Sequence, residues 1–249
     1  MVNIPTGIQG LDELLSGGFP EGRVILVLGG PGTGKTILAS QFLYKGIDDY
    51  NENGIFVSLD ESKHHYYTEM GNFGLNFNKA EEETKFSFID ATRMSRTALL
   101  RDQMRGDPSS LRGRQLPIDK LVETIEEKIH QIDAKRVVID TLATLFHRFP
   151  DPFERKTAIV DLVESLSEFG TTAIITTELS HFGSDRSITD EEYMVHGVLI
   201  METLFFQENM TRALHIEKMR GTKVVQKRVP YIIDKNGIEV FPDMRLFQD

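Results

Sequence analysis

The sequence of 249 residues contains no cysteine. This absence excludes a disulfide framework and any metal site built from thiolates. The sequence also lacks a run of the roughly 20 uncharged apolar residues that a membrane-spanning helix requires, so no membrane association is expected. The first residues, Met1–Pro5, have neither the basic start nor the apolar run of a signal peptide. Together these absences predict a soluble cytoplasmic protein.

Positive charge is scarce as well, because 28 lysines and arginines face 38 aspartates and glutamates, for a net charge of -10. An acidic surface repels polyphosphate on average, so nucleic acid is not the expected partner. Hydrophobic residues make up 40% of the chain, which at this length is enough for one large core. The sequence therefore predicts a single domain over residues 1–249.

Short apolar runs of strand length alternate with longer segments that have helical spacing. The strands predicted in this part of the chain are Val24–Leu28, Gly54–Leu59, Phe86–Asp90, Arg136–Asp140 and Ala173–Thr177. The predicted helices are Ile37–Tyr50, Ile118–Gln131 and Thr157–Phe169. Nearly continuous apolar strands separated by helices are typical of a parallel sheet covered on both faces.

The last part of the chain has a different pattern, in which strands follow one another without helices. These strands are Val198–Met201, Arg212–Lys218, Lys227–Ile233 and Ile238–Phe241, and a turn sequence separates the last two. The sequence therefore predicts an α/β fold, with a mostly parallel central sheet flanked by helices and extended by C-terminal antiparallel strands.

One segment, Met94–Pro117, fits neither pattern. It has few apolar residues, five arginines and the helix breakers Gly106, Pro108 and Gly113. We interpret it as an exposed loop or insertion. The alternative is a contact with a neighbouring subunit or with a polyanion.

The sequence Gly29–Thr36 matches G-x-x-x-x-G-K-[ST], between a predicted strand and a predicted helix. Glycines let consecutive backbone N–H groups turn toward phosphates, and the start of the helix adds its positive dipole end. In this pattern Lys35 contacts the β and γ phosphates, and the Thr36 hydroxyl is a ligand of Mg²⁺. The expected nucleotide-binding residues are Gly30, Pro31, Gly32, Thr33, Gly34, Lys35, Thr36 and Ile37. The sequence thus predicts a P-loop that binds ATP or ADP with Mg²⁺.

Carboxylates follow other predicted strands, and parallel strands bring their carboxyl ends to one edge of the sheet. Asp140 is predicted to orient Mg²⁺ or its waters, although an Asp that caps a turn is the alternative. Glu61 is the preferred base for the attacking water, with Asp60 assisting. A helix N-cap by Asp60 or Ser62 is the other interpretation and is compatible with a catalytic Glu61. Thr177–Glu178 ends a strand at the same edge, where a polar link to the nucleotide is expected.

Several further segments, taken in order with the P-loop, carry a resemblance to a known family. They are Thr6–Leu15, Gly17–Gly22, Phe56–Ser62, the strand that ends at Asp140, and Lys218–Thr222. Each segment alone has weak specificity, but all of them in this order are strongly specific. The chain is identified as a single-domain member of the KaiC-like branch of the RecA superfamily, and the resemblance covers nearly its whole length.

This resemblance implies a RecA-like P-loop NTPase fold, ATP hydrolysis and ring-shaped hexamers with ATP between subunits. The paired acidic residues of the family match Asp60 and Glu61. The usual pair is two glutamates, so Glu61 is the safer choice for catalysis. The family's Lys-x-Arg motif, which reaches the γ phosphate of the neighbour's nucleotide, matches Lys218 and Arg220. We expect a regulatory or signalling ATPase that acts with a protein partner.

The chain also departs from the family's two-domain clock members, which carry two such units and autophosphorylate a Ser/Thr pair. Here the positions of that pair fall near Met194 and Val195, which have no hydroxyl. Autokinase activity at that pair is therefore not expected, and Ser187 and Thr189 remain as candidate acceptors.

Two other functions stay open from the sequence. One is a RecA-like DNA-processing ATPase, motivated by the arginine-rich residues Arg93–Arg114, although the net charge argues against it. The other is a nucleotide-gated scaffold that keeps the P-loop and hydrolyses ATP negligibly.

Overall fold

The computed structural model describes residues 2–92, 118–144, 151–179, 186, 188–206, 209–244 and 246. The arginine-rich segment Met94–Pro117 and the candidate acceptor Ser187 lie outside the described residues. The strands are β1 (Asn3–Ile4), β2 (Phe19–Pro20), β3 (Val24–Gly29), β4 (Asn53–Ser58), β5 (Phe86–Asp90), β6 (Ala134–Asp140), β7 (Thr172–Glu178), β8 (Gly197–Phe206), β9 (Asn209–Met219), β10 (Val229–Asp234) and β11 (Gly237–Val240). The helices are α1 (Leu11–Leu14), α2 (Lys35–Tyr50), α3 (Lys63–Gly71), α4 (Phe77–Glu82), α5 (Ile118–Ile132), α6 (Pro152–Glu168) and α7 (Asp190–Met194).

Nine of the described strands form one sheet in the order β11-β10-β9-β8-β3-β7-β6-β4-β5. The strands from β8 to β5 in this order are parallel to one another. Strands β9, β10 and β11 extend the sheet in antiparallel pairing, and β1 pairs separately with β2. The predicted fold class, a mostly parallel central sheet with C-terminal antiparallel strands, is confirmed.

Strand β3 contributes to two hydrophobic cores, one on each face of the sheet, because successive side chains of a strand point to opposite sides. Ile25 and Val27 belong to the core that includes the buried side chains of α2. Val24, Leu26 and Leu28 belong to the core that includes α5 and α6. All five side chains are at most 1% exposed, so β3 has the burial of a central parallel strand.

Helices α1, α3, α4 and α7 were not predicted from the sequence. In α3 the buried side chains are Tyr66, Tyr67 and Met70, among charged residues and histidines, so the apolar period is weak. The helix begins after Ser62, whose hydroxyl accepts a hydrogen bond from the His65 N–H at 3.5 Å. The alternative N-cap interpretation is therefore correct for Ser62. None of the described helices has the length and apolar character to cross a membrane.

Strands β8 and β9 are longer than predicted. The sequence predicted Val198–Met201 and Arg212–Lys218, whereas pairing runs from the Gly197–Met219 pair to the Phe206–Asn209 pair. Sequence patterning missed the outer part because its apolar residues do not alternate regularly with polar ones. The result is a long hairpin that continues beyond the neighbouring end of β3 at Gly29.

The carboxyl end of α2 is joined to the sheet by a buried arginine. Arg136 on β6 is fully buried, and its Nε donates a hydrogen bond to Glu52 at 2.6 Å. Its Nη1 donates to the Phe42 carbonyl at 2.8 Å, and the guanidinium lies over the Phe42 ring at 4.5 Å from the centroid. A buried guanidinium needs this set of partners because its desolvation is costly.

Removing the counter-charge of this arginine is expected to destabilise the fold. Glu52→Ala should lower the free energy of unfolding by about 2 kcal/mol, less than the roughly 3–5 kcal/mol of a fully buried pair, because Glu52 is itself 23% exposed. Urea unfolding followed by circular dichroism measures this change. The matched control is Glu126→Ala on α5, whose partner His130 is 77% exposed. Equal urea midpoints for the two variants would contradict a stabilising role of the Arg136–Glu52 pair.

Candidate nucleotide site

The segment between β3 and α2 forms a tight loop whose backbone is held by its own side chains. Gly32 and Gly34 have positive φ angles of 74° and 92°, a region that favours glycine. The Thr33 hydroxyl donates to the Gly30 carbonyl at 2.8 Å. The Tyr231 hydroxyl, from β10, donates to the Thr33 carbonyl at 2.6 Å. The loop is therefore fixed both by local bonds and by the antiparallel extension of the sheet.

The β10–β11 hairpin packs against this loop and against α2. A Cβ on Gly34 would lie 2.7 Å from Cδ1 of Ile233, so a larger residue there would have to displace the Ile233 side chain. Gln41 on α2 holds the hairpin, since its side chain accepts from the Ile238 N–H at 2.7 Å and donates to the Ile238 carbonyl at 3.2 Å. Residues of β10 thereby border the phosphate loop, a contact that the sequence did not predict.

Lys35 begins α2, and its ammonium folds over the loop. Its Nζ donates to the Gly29 carbonyl at 2.8 Å and to the Gly30 carbonyl at 3.2 Å. Burial lowers the pKa of Lys35, while the negative charges of Asp140 and Glu178 oppose that shift. Among the residues that the structure describes, Lys35 forms no ion pair. A partly buried ammonium over a glycine loop suits a phosphate anion.

The side chains of Thr36 and Asp140 meet beside this loop. The Thr36 hydroxyl donates to Asp140 Oδ2 at 2.8 Å, and the Thr176 hydroxyl on β7 donates to Asp140 Oδ1. Asp140 is therefore oriented by threonines from both sides. A hydroxyl and a carboxylate are hard oxygen ligands of the kind that Mg²⁺ prefers, so the residues present fit that cation.

Asp60 and Glu61 follow β4 at the same edge of the sheet. The Glu61 N–H donates to the Ser58 hydroxyl at 2.9 Å, and the Leu59 N–H donates to the Asp140 carbonyl at 2.8 Å. The first bond is local to the end of β4, and the second joins the end of β4 to the end of β6. An open cavity of about 630 Å³ lies here, lined by Thr36, Asp60, Glu61, Ser62, His65, Glu69, Asp90, Thr92 and Asp140.

The environment of this cavity favours the protonated forms of Glu61 and Asp60. Burial raises the pKa of Glu61 to about 7, with further contributions from the negative charges of Glu69, Asp60 and Asp140. Partial burial and the charge of Asp140 also raise the pKa of Asp60. A carboxyl group whose pKa lies near neutral pH is suited to exchange protons during a reaction.

Lys218 and Arg220 lie far from this cavity within one chain. Lys218 pairs with Val198 at the start of β8, and the Arg220 N–H donates to the His196 carbonyl at 2.8 Å. His196 lies beside Val24, at the end of β3 opposite the phosphate loop. The five-residue rise of β3 separates the two edges of the sheet by about 17 Å. The structure therefore brings Lys35, Thr36, Asp60, Glu61 and Asp140 together, and it leaves Lys218 and Arg220 at the other edge.

Several residues around the site were not singled out from the sequence. Thr176 and Tyr231 belong to apolar strands, and only the strand pairing shows that their hydroxyls reach Asp140 and the Thr33 carbonyl. Glu69 lies on the unpredicted helix α3, so its approach to Glu61 carried no sequence signal. The candidate acceptor Thr189 instead caps α7, where its hydroxyl and N–H both contact Glu192.

The sheet order and the phosphate loop define a nucleotide-binding protein of the RecA-like class. A family model described as "ATPase: KaiC" matches residues 4–245, and the chain belongs to this family. A UPF0273 protein of Methanocaldococcus jannaschii is 38% identical over 245 residues, which cover 98% of each protein. The circadian clock oscillator protein KaiC of Parasynechococcus marenigrum is 32% identical over 98% of this chain, which spans 46% of that longer protein.

A solved structure shows the same fold. The crystal structure of a KaiC-like protein from the hyperthermophilic archaeon Pyrococcus horikoshii superposes with a TM-score of 0.81. The two sequences are 34% identical, and the match covers 97% of this chain and 99% of the other. Membership of this family supports an ATP-binding ATPase, and the predicted resemblance to KaiC-like ATPases is confirmed.

The raised pKa of Glu61 predicts a pH dependence of ATP hydrolysis. The ionised form needed by a base gains population as pH rises through about 7, so kcat/KM should increase about tenfold between pH 6 and pH 8. Glu69→Gln removes the neighbouring charge that raises the pKa of Glu61 most. The midpoint of the pH profile should therefore move to lower pH. The control is Glu82→Gln, the same change at an exposed position of α4. Identical midpoints in Glu69→Gln and in the control would rule out this coupling.

Proposed function

We propose that this protein is a Mg²⁺-dependent ATPase whose sites are completed between subunits of a ring. The observation that carries the proposal is the convergence of Lys35, Thr36, Asp140 and Glu61 beside one phosphate-type loop. The whole chain, residues 1–249, would act as one ATPase unit with a regulatory role. The net charge of -10 favours this function over DNA processing.

Each side chain has a distinct role in the proposed reaction. The loop N–H groups and Lys35 hold the phosphates of ATP, and Thr36 and Asp140 hold Mg²⁺. The cation supplies charge neutralisation for the phosphate oxygens when it is bound. Glu61 accepts a proton from water as the water oxygen bonds to the γ phosphorus. The bond from that phosphorus to the bridging oxygen breaks, and ADP leaves with the bond's electron pair.

The placement of Lys218 and Arg220 supports a site shared between subunits. These cations lie about 17 Å from the phosphate loop of their own chain, along the strand axis, and Arg220 is exposed. They act on the transferred phosphoryl group of a neighbouring subunit in this proposal, where cations stabilise developing charge. A contact between different surfaces of identical subunits is heterologous, and it forms a ring when the rotation closes. We propose a homo-hexamer on the basis of the family resemblance.

The role of Glu61 is tested by removing its ionisable oxygen. Glu61→Gln should reduce the kcat of Mg²⁺-dependent ATP hydrolysis by about tenfold or more, the low end for loss of a general base. ATP binding, measured by equilibrium dialysis, should persist because the loop is unchanged. Glu82→Gln is the matched control and should keep full turnover. Undiminished hydrolysis in Glu61→Gln would remove Glu61 from the mechanism, and negligible hydrolysis in the unaltered protein would favour the nucleotide-gated scaffold.

The shared site is tested by mixing two inactive proteins. Lys35→Ala loses phosphate binding in its own subunit, whereas Arg220→Ala loses only the cation given to a neighbour. Each variant alone should be inactive, and a mixture should regain part of the steady-state hydrolysis. Light scattering before and after mixing, with ATP and Mg²⁺, confirms that both variants assemble. Absence of recovery at every mixing ratio in assembled protein would contradict catalysis between subunits.

A further inference from the structure

We infer that His196 is a positioning residue for the neighbouring subunit's ATP site, because it fastens Arg220 to the strand that carries the phosphate loop. This inference rests on the proposed function, in which Arg220 acts on a neighbour. His196 lies just before β8, on no element that the sequence marked as functional. It touches neither the phosphate loop nor the cavity around Glu61, so its effect would pass entirely through the position of Arg220.

The backbone and side chain of His196 both bind Val24, the first residue of β3. The His196 N–H donates to the Val24 carbonyl at 2.9 Å. The Val24 N–H donates to Nδ1 of the imidazole at 3.2 Å. Val24 is fully buried, so its N–H depends on this acceptor for a hydrogen-bond partner. His196 therefore has a fixed position relative to β3.

Arg220 is in turn held by His196 and the residues just before it. The Arg220 N–H donates to the His196 carbonyl at 2.8 Å, and its Nη2 donates to the Tyr193 carbonyl at 2.8 Å. The hydrogen bonds thus run from Val24 through His196 to the backbone of Arg220, and Tyr193, three residues before His196, holds the guanidinium.

A change in strand register helps to place Arg220 at this position. The pairing of β8 with β9 shifts between Val198 and Leu199, which pair with Lys218 and Ile216 and leave Glu217 without a paired residue. Such bulges re-aim the side chains that follow them. Met219 is buried against Gly197, where an added Cβ would lie 2.5 Å from the Met219 sulfur. Arg220 is consequently directed outward.

Burial and the neighbouring positive charges favour the neutral form of the His196 ring. Burial lowers the pKa of His196, and the positive charges of Arg23, Arg220 and Lys218 lower it further. A neutral imidazole can leave Nδ1 unprotonated and able to accept the Val24 N–H, whereas the imidazolium has donors on both nitrogens. Glu192 on α7 is the acidic group close to Lys218. The positive charges of Arg23, Lys218 and Arg220 thus favour the neutral form of His196, which is the form that can bind Val24.

Two substitutions separate the acceptor from the rest of the side chain. In His196→Asn the amide oxygen can take the place of Nδ1, since both lie one atom beyond Cγ. In His196→Gln the amide lies one atom further out, and in His196→Ala there is no acceptor. We expect His196→Asn to retain kcat and KM, and His196→Ala and His196→Gln to lose about tenfold in kcat with little change in KM, because a small misplacement of a catalytic group costs this much or more.

Mixed assemblies then show in which subunit the histidine acts. The reference is the mixture of Lys35→Ala with Arg220→Ala, in which the Lys35→Ala subunit supplies the cation and the Arg220→Ala subunit binds ATP. Adding His196→Ala to the Lys35→Ala protein should lower the recovered kcat about tenfold. Adding it to the Arg220→Ala protein should cause no further loss, because that subunit has no Arg220 to position.

The outcomes distinguish this inference from the function on which it rests. An inactive reference mixture would overturn catalysis between subunits and the positioning role with it. If the reference mixture is active and His196→Ala causes equal losses in the Lys35→Ala and Arg220→Ala proteins, His196 serves the fold of its own subunit, and the inference alone is overturned. Equal activity of His196→Asn and His196→Ala would also overturn it. A tenfold loss only when His196→Ala is in the Lys35→Ala protein, together with retained activity in His196→Asn, would support it.

Discussion

Strand β3 is the constraint on which the rest of the structure depends. It is buried on both faces and bonded to parallel neighbours on both sides, so its two ends are fixed relative to the whole sheet. Parallel pairing brings the ends of β4, β6 and β7 to the edge where β3 enters the phosphate loop. Antiparallel pairing of β9 delivers Lys218 to the opposite edge. The division of functional groups between two edges follows from strand direction alone.

The shifted pKa values beside the phosphate loop follow from this convergence of strand ends. Asp60, Glu61, Glu69 and Asp140 gather in one cavity, where burial and the neighbouring carboxylates raise the pKa values of Asp60 and Glu61. A folded protein tolerates this like-charge crowding because Asp140 is bonded to Thr36 and Thr176. The same crowding, together with burial, keeps the pKa of Glu61 near 7.

Sequence reasoning placed residues correctly where a local pattern has one conformational use. The glycine turn, the start of α2 near Lys35 and the strand that ends at Asp140 could be predicted, because a glycine-rich loop between an apolar strand and a helix is a local pattern. It failed where partners meet only through the sheet. Nothing local in Tyr231 or Thr176 marks a role, and α3 has too weak an apolar period to place Glu69 beside Glu61. The outer part of β8 was missed because cross-strand pairing, rather than alternation, maintains it.

The position of Arg220 and Lys35 at opposite edges has a consequence for heterogeneous assemblies. Under the proposed function, a subunit that lacks both groups would inactivate two sites, its own and the one it serves in a neighbour. Hydrolysis in a randomly mixed ring would then fall with the square of the fraction of intact subunits. Such a subunit would abolish hydrolysis in an intact neighbour as well as in itself. This is expected for a heterologous contact, which joins two different surfaces of the same chain.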